Sequence, residues 1–312
     1  MRKSSIALAM AAGAFALTIF AAPIPAAAAQ DVAAARTSVE SASTKWVWIN
    51  SDQKYGKFFS PANVQVTAQV NGVATKIVAW TRTEYTPGGA QETITNYDIG
   101  SVIDDPRKLA YSLALVEVHP QTREVVYLQE YFYNKSGDVL WSKLYQEPRT
   151  VKEINSQSFD EDFYVALVDQ VFHHGERERQ HAADRWIELW KTQAESGATA
   201  VSLADTTTMR LAFGNLIYWE WVETKDAAGS VVEVRFMKKA LNSSEGTERI
   251  IKGSAWTSSA GWSDMLPDGL YTAIHEDTPE AHGLKRLRAF IKGYQYWLNR
   301  YRTDSPEAHR NK

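Results

Sequence analysis

Apolar and polar residues alternate along much of residues 45–147, the period of strands that bury one face. Runs at 45–50, 56–59, 63–67, 76–85, 112–118, 124–133 and 138–146 carry the pattern. Ser60-Pro61, Pro87-Gly88-Gly89 and residues 134–137 punctuate it as turns. At Ser158 the period changes. Phe159, Phe163, Leu167 and Val171 recur every fourth residue, and Ser158 and Glu161 stand where a capping box needs them, so a helix is predicted there. Residues 176–195 read as a second, charge-rich helix with Ile187 and Trp190 on one side, ended by Ser196-Gly197-Ala198. Strand periodicity then returns at 207–213, 216–223, 231–238 and 248–256, with Val232, Val234 and Phe236 alternating with Glu233 and Arg235. A final helix opens at Thr278-Pro279, the proline in its favoured first position, and carries Leu284, Leu287, Ile291, Tyr294 and Leu298 on its apolar face.

The second half echoes the first. Ile154, Ser158, Leu167 and Val171 have counterparts in Ile274, Thr278, Leu287 and Ile291, each 120 positions further on. Any strand–turn–helix unit shares some of this spacing, but the constant offset favours a repeat. The expected fold class is therefore α+β: two related modules, each an antiparallel sheet packed by a closing helix, joined by a helical connector. The expected boundaries are 45–174 for the first module, 175–204 for the connector, 205–302 for the second module and 303–312 for a flexible tail.

The start of the chain follows a different logic. Arg2 and Lys3 precede an uncharged apolar stretch at 6–22, then Pro23 and Pro25, then Ala27-Ala28-Ala29. That order is a secretory signal peptide over 1–29, with cleavage before Gln30. The apolar stretch is short for an uncleaved span, which takes about 20 residues. Residues 30–44 then read as a flexible lead-in. An exported chain could use disulfides, but this one has no cysteine, which also removes thiolate metal sites and a cysteine nucleophile. Its stability must come from a packed core, for which 11 Trp supply bulk. Without residues 1–29 the balance is 32 basic to 37 acidic residues, which argues against nucleic acid as a partner and gives no general pull towards anionic lipid. No later segment is apolar enough to span a membrane, so no integral membrane segment is expected after cleavage.

The first half also resembles a known family. Trp46-Val47-Trp48-Ile49, Phe58-Phe59-Ser60-Pro61, the run from Val78-Ala79-Trp80 to Glu84-Tyr85, Tyr131-Phe132-Tyr133, Gly137-Asp138-Val139-Leu140 and the helix entry from Ile154 to Ser158 follow in order. This is similar to the bacterial surface-adhesin E-like domain, over about residues 45–170 and only weakly over 205–295. Phe59-Ser60 stands where that family often has Tyr-Asp, and cysteines seen in some relatives are absent. The resemblance implies a small antiparallel sheet on a helix, an exported location and an adhesive or binding role. It implies no ligand and no catalytic residues.

Candidate chemistry is thin. His173, His174 and His181 lie near Glu176 and Glu178, but not in the HExxH spacing that presents two imidazoles one turn apart; a solvated helix face explains them as well. Asp160-Glu161-Asp162 and His275-Glu276-Asp277 sit at helix starts, where acidic groups complement the dipole. No catalytic residue, metal ligand or cofactor is assigned. The more informative feature is the second face of the first sheet. If strict alternation holds, Trp80, Arg82, Tyr131, Trp141 and Tyr145 share one face while Ile77, Ala79 and Leu140 share the other. Rings mixed with polar groups are recognition surfaces, although another segment could equally cover them as core. The expected function is an exported, non-catalytic binding or adhesion protein of the periplasm or cell surface, with a protein or glycan ligand. A periplasmic hydrolase using carboxylates or Ser, and an envelope structural or assembly factor, are the alternatives.

Overall fold

The computed structural model describes residues 44–304. The expected signal peptide over 1–29, nearly all of the expected lead-in and the residues from 305 lie outside the described residues. Two antiparallel sheets make up residues from Lys45 onward, and no described helix is long and apolar enough to cross a membrane. The first sheet contains β1 (Val47–Ser51), β2 (Tyr55–Phe59), β3 (Gln65–Val70), β4 (Val73–Tyr85), β5 (Tyr111–His119), β6 (Glu124–Tyr133), β7 (Val139–Leu144) and β8 (Val151–Glu153). Its order is β1-β2-β4-β5-β6-β7, with β3 beside β4 and β8 beside β6. The second sheet runs in plain sequence order through β9 (Trp186–Gln193), β10 (Thr199–Ala212), β11 (Asn215–Lys225), β12 (Val231–Asn242), β13 (Thr247–Thr257) and β14 (Gly261–Met265), with β15 (Thr272–Ala273) beside β13.

The two orders are one plan. Six strands meander, a short strand returns beside the fifth, and a helix then closes over the sheet: α2 (Glu161–Phe172) in the first module and α4 (Pro279–Gly293) in the second. β10 is the counterpart of β2 and β3 together. Its pairing with β11 breaks between Asp205 and Arg210, where the first module breaks its strand with Ser60-Pro61. The closing turn repeats at atomic detail. Ile154 N–H donates to the Arg123 carbonyl at 2.8 Å, and Ile274 N–H donates to the Gly246 carbonyl at 2.9 Å. Arg123 (φ 59°) and Gly246 (φ 69°) both sit in the left-handed region, just before β6 and β13.

Each core lies between a sheet and its closing helix. Ile77, Val116, Val118 and Val125 meet Phe163, Leu167 and Val168 of α2, with Ile154 fully buried among them. In the second module Leu189, Tyr218 and Leu241 meet Leu284, Leu287 and Phe290 of α4, and Ile274 is only partly buried. The four-residue stripe thus serves its expected purpose. The capping differs: Asp160 occupies the α2 N-cap position, and the Ser158 hydroxyl instead bonds the Glu153 carbonyl and accepts the Asn155 N–H.

Two elements depart from the sequence reading. Pro87-Gly88-Gly89 is not a loop but the first turn of a helix, α1 (Pro87–Tyr97), with Thr86 as N-cap. A Cβ on Gly89 would overlap the Lys54 carbonyl oxygen, so glycine is there for close packing against the β1–β2 turn. The connector over 175–204 is helical only in α3 (Glu176–His181), and residues from Trp186 form β9. The Ile187–Trp190 spacing looked helical because of a β-bulge. The β9–β10 register shifts between Ser202 and Leu203, which brings Ile187, Leu189 and Trp190 onto the same core.

Candidate ligand-binding site

The modules meet through buried charge. Arg123, on the left-handed turn between β5 and β6, reaches four groups: the Ile154 carbonyl (3.0 Å), the Thr207 carbonyl (3.1 Å), Glu161 (2.9 Å) and Glu176 (3.4 Å). Glu176 also accepts from Arg300 Nε (2.6 Å) and the Tyr301 hydroxyl (2.6 Å). Arg185 bridges Glu161 (2.8 Å) and Asp205 (3.1 Å). Burial acts to raise the Glu176 carboxyl, but Arg300 and Arg123 more than offset it and hold the group below its ordinary range. Three guanidiniums and three carboxylates therefore neutralise one another where the two sheets come together. α5 (Gln295–Asn299) places Arg300 and Tyr301 at this junction, and the Trp297 indole donates to the Thr206 carbonyl at 2.8 Å.

Above this junction lies a cleft of about 620 Å³. One wall is the β5–β6 turn with Pro120 and Gln121; the other is the sheet face of β10 to β13 that points away from α4; residues Arg300–Asp304 close a third side. Leu211, Ile217, Ile251 and Leu298 make it apolar, and Arg210, Lys238 and Arg249 make it cationic. Lys238 is paired to Glu153 at 2.7 Å, an acceptor that Lys252 shares at 2.7 Å. Arg210 is different. Burial lowers its pKa, Glu153 acts the other way, and its guanidinium forms no hydrogen bond or ion pair with any described residue. Arg249 likewise lacks an ion pair among the described residues and lies over the Tyr271 ring at 5.0 Å. An arginine remains charged even here, so the cleft holds two guanidiniums, Arg210 and Arg249, that form no ion pair with a described residue, with Glu153 and Asp304 as the nearby carboxylates.

The five residues expected to form one recognition face do not do so. Trp80, Arg82 and Tyr131 share the sheet face opposite α2; Trp80 and Tyr131 have ring centroids 6.3 Å apart, and Arg82 lies over the Tyr111 ring at 4.2 Å. Trp80 is buried, at 5% exposure. Trp141 and Tyr145 are on the other face. Trp141 packs on Tyr97 and Phe132 in the cluster under α1, and Tyr145 packs on the main core and donates to Glu130. The cause is two bulges. Register shifts between Leu115 and Val116 against Gln129 and Tyr127, and between Phe132 and Tyr133 against Trp141 and Val139, each reversing the alternation beyond it. Leu140 consequently packs in the same cluster as Trp141 rather than opposite it.

The other tempting groups are accounted for by neighbours. His174 accepts or donates with the Tyr296 hydroxyl at 2.6 Å and stacks on Phe172. Asp162 takes Lys57 at 2.8 Å, and Glu161 belongs to the charge network. Among the described residues no group of three or more His, Asp or Glu side chains is placed to hold a metal ion. Sequence reasoning missed Arg210, Lys238 and Arg249. None of the three stands in a local pattern that marks a site, and only the packing of the second module on the first brings them into one cleft. No family model matches the chain, and neither does any curated protein sequence.

Proposed function

We propose that this chain is an exported binding protein that takes an anionic, partly apolar ligand in the cleft between its modules. The observation that carries the reading is Arg210: a partly buried guanidinium beside aliphatic walls that forms no ion pair with any described residue. Leaving a buried cation unpaired costs stability, and a ligand carboxylate, sulfonate or phosphate would supply the missing partner with charge-assisted hydrogen bonds. The cleft volume falls in the range of small-molecule sites. The signal-like start and the adhesin E-like resemblance of the first module support an extracytoplasmic location, periplasm or surface. A hydrolase is the weaker reading, because Glu161, Glu176 and Asp205 are each already engaged by an arginine in the buried network.

The test uses two dyes of one shape. 8-Anilinonaphthalene-1-sulfonate carries the anion, and N-phenyl-1-naphthylamine lacks it. Arg210→Met keeps the length of the side chain and removes its charge. The sulfonate should bind the variant about tenfold more weakly, while the neutral dye keeps its affinity. Unchanged sulfonate binding, or an equal loss of both dyes, would exclude Arg210 as the anion site.

A further inference from the structure

The pairing register of the second sheet aligns the two cleft guanidiniums that have no ion pair. Arg210 on β10 pairs with Ile217 on β11, Ile217 with Ala240 on β12, and Ala240 with Arg249 on β13. Residues paired directly across an antiparallel sheet share a face. These four therefore form one row across the cleft floor, with an arginine at each end. Three strand spacings separate the ends, about 14 Å between the two backbones. The floor between them is aliphatic, since Ile217 and Ile251 both line the cleft. Arg249 Nε is buried with no hydrogen-bond partner among the described residues. The carboxylates at the cleft are already engaged. Glu153 holds Lys238 and Lys252, each at 2.7 Å, and Asp304 holds Arg302 at 2.7 Å.

We infer that the cleft takes a ligand with two anionic groups at the ends of an apolar spacer, the chemistry of an α,ω-dicarboxylate, lying along the row from Arg210 to Arg249. This rests on the anion site proposed above at Arg210 and adds a second one at Arg249. The Tyr271 ring, 5.0 Å from the Arg249 guanidinium, steadies that group but supplies no countercharge. A ligand with one anion would leave one of the two guanidiniums without a partner, and a charge drawn out of water is compensated only when it is paired. Two separate small anions would satisfy both arginines but leave the aliphatic floor wet. One molecule that carries both anions satisfies the cations, covers the floor and gives up its translational freedom once.

The experiment is calorimetric titration of the intact chain with α,ω-dicarboxylates of increasing length, from succinate through adipate, suberate and sebacate to dodecanedioate. Each is measured beside the monocarboxylate of equal length. Dicarboxylate affinity should pass through a maximum within the series, and there exceed that of the matched monocarboxylate about tenfold or more. Arg249→Met should remove this advantage, while the monocarboxylate, held at Arg210, keeps its affinity. Arg210→Met should weaken both. A dicarboxylate no better than its matched monocarboxylate at every length, or an advantage that survives Arg249→Met, would overturn the inference and leave the single-anion reading of Arg210 standing. No binding by either kind of acid at any length would overturn both. The length dependence is read on the unsubstituted chain, so it decides the matter even if Arg249→Met does not fold.

Discussion

Arg300 Nε lies 2.6 Å from Glu176 Oε1, joining residues 124 positions apart across the junction of the two modules. Removing one member leaves the other buried with too little compensation, which costs about 3–5 kcal/mol in such pairs. Arg300→Met should therefore lower stability by about that much in a denaturant titration. The pH dependence has a fixed sign. The Glu176 pKa lies below its ordinary 4.5 in the folded chain. Its contribution is thus fully present above that value and is lost as pH falls through the lower folded one. Glu176→Gln should flatten the acid limb of a stability-against-pH curve; an unchanged limb would show that other carboxylates govern it.

Ile154 and Ile274 test the repeat. Both donate to the carbonyl of a left-handed turn residue, but Ile154 is fully buried and Ile274 only partly. Ile154→Ala should cost about 3–5 kcal/mol and Ile274→Ala about 1–2 kcal/mol, because the cavity term scales with what closes around the site. Equal costs would mean that the packing of the two closing turns is more alike than their exposure indicates.

Much of this architecture was legible as periodicity. The strand runs, the α2 and α4 stripes and the 120-residue offset at Ile154 and Ile274 all survive because local pattern and tertiary packing agree there. The reversed strand faces share one physical cause. A bulge adds a single residue, leaves composition untouched and reverses every face beyond it, as at Trp141 and at Trp190. α1 was hidden because its first turn is Pro-Gly-Gly, read as a breaker, when Gly89 is needed only for contact with Lys54. The cleft was not readable at all. Arg210 and Arg123 are 87 positions apart, and nothing local to either announces that the modules meet there.

The leader can be tested directly. Ala27-Ala28-Ala29 predicts a mature chain that begins at Gln30. Intact-mass measurement on protein recovered from the exporting cell should give the mass of residues 30–312; a mass that retains 1–29 would point to an anchored form.

Trp141 now carries a different expectation from that of a surface ring. It makes edge contacts with Tyr97 (5.8 Å) and Phe132 (5.3 Å) and helps hold α1 on the sheet. Trp141→Ala should destabilise the fold by about 2–4 kcal/mol, at or below the usual cost for a large core ring because it is only partly buried. Sulfonate-dye affinity in the cleft should be unchanged in the fraction that stays folded. A stable Trp141→Ala protein with weakened ligand binding would restore the sheet-face reading.

Phe213 tests the cost of a strained turn. Its φ of 51° is unfavourable for a bulky L-residue by roughly 1–2 kcal/mol, and the exposed ring contributes no core packing to offset this. Phe213→Asn should accordingly raise the unfolding free energy, by up to about 1 kcal/mol. Gly214→Ala, at φ 77°, should lower it. The paired outcome is what matters. A gain in stability with Asn would mean that the ring is retained at a structural cost. A loss of stability would mean that Phe213 makes a contact within the chain that outweighs the strain of its backbone.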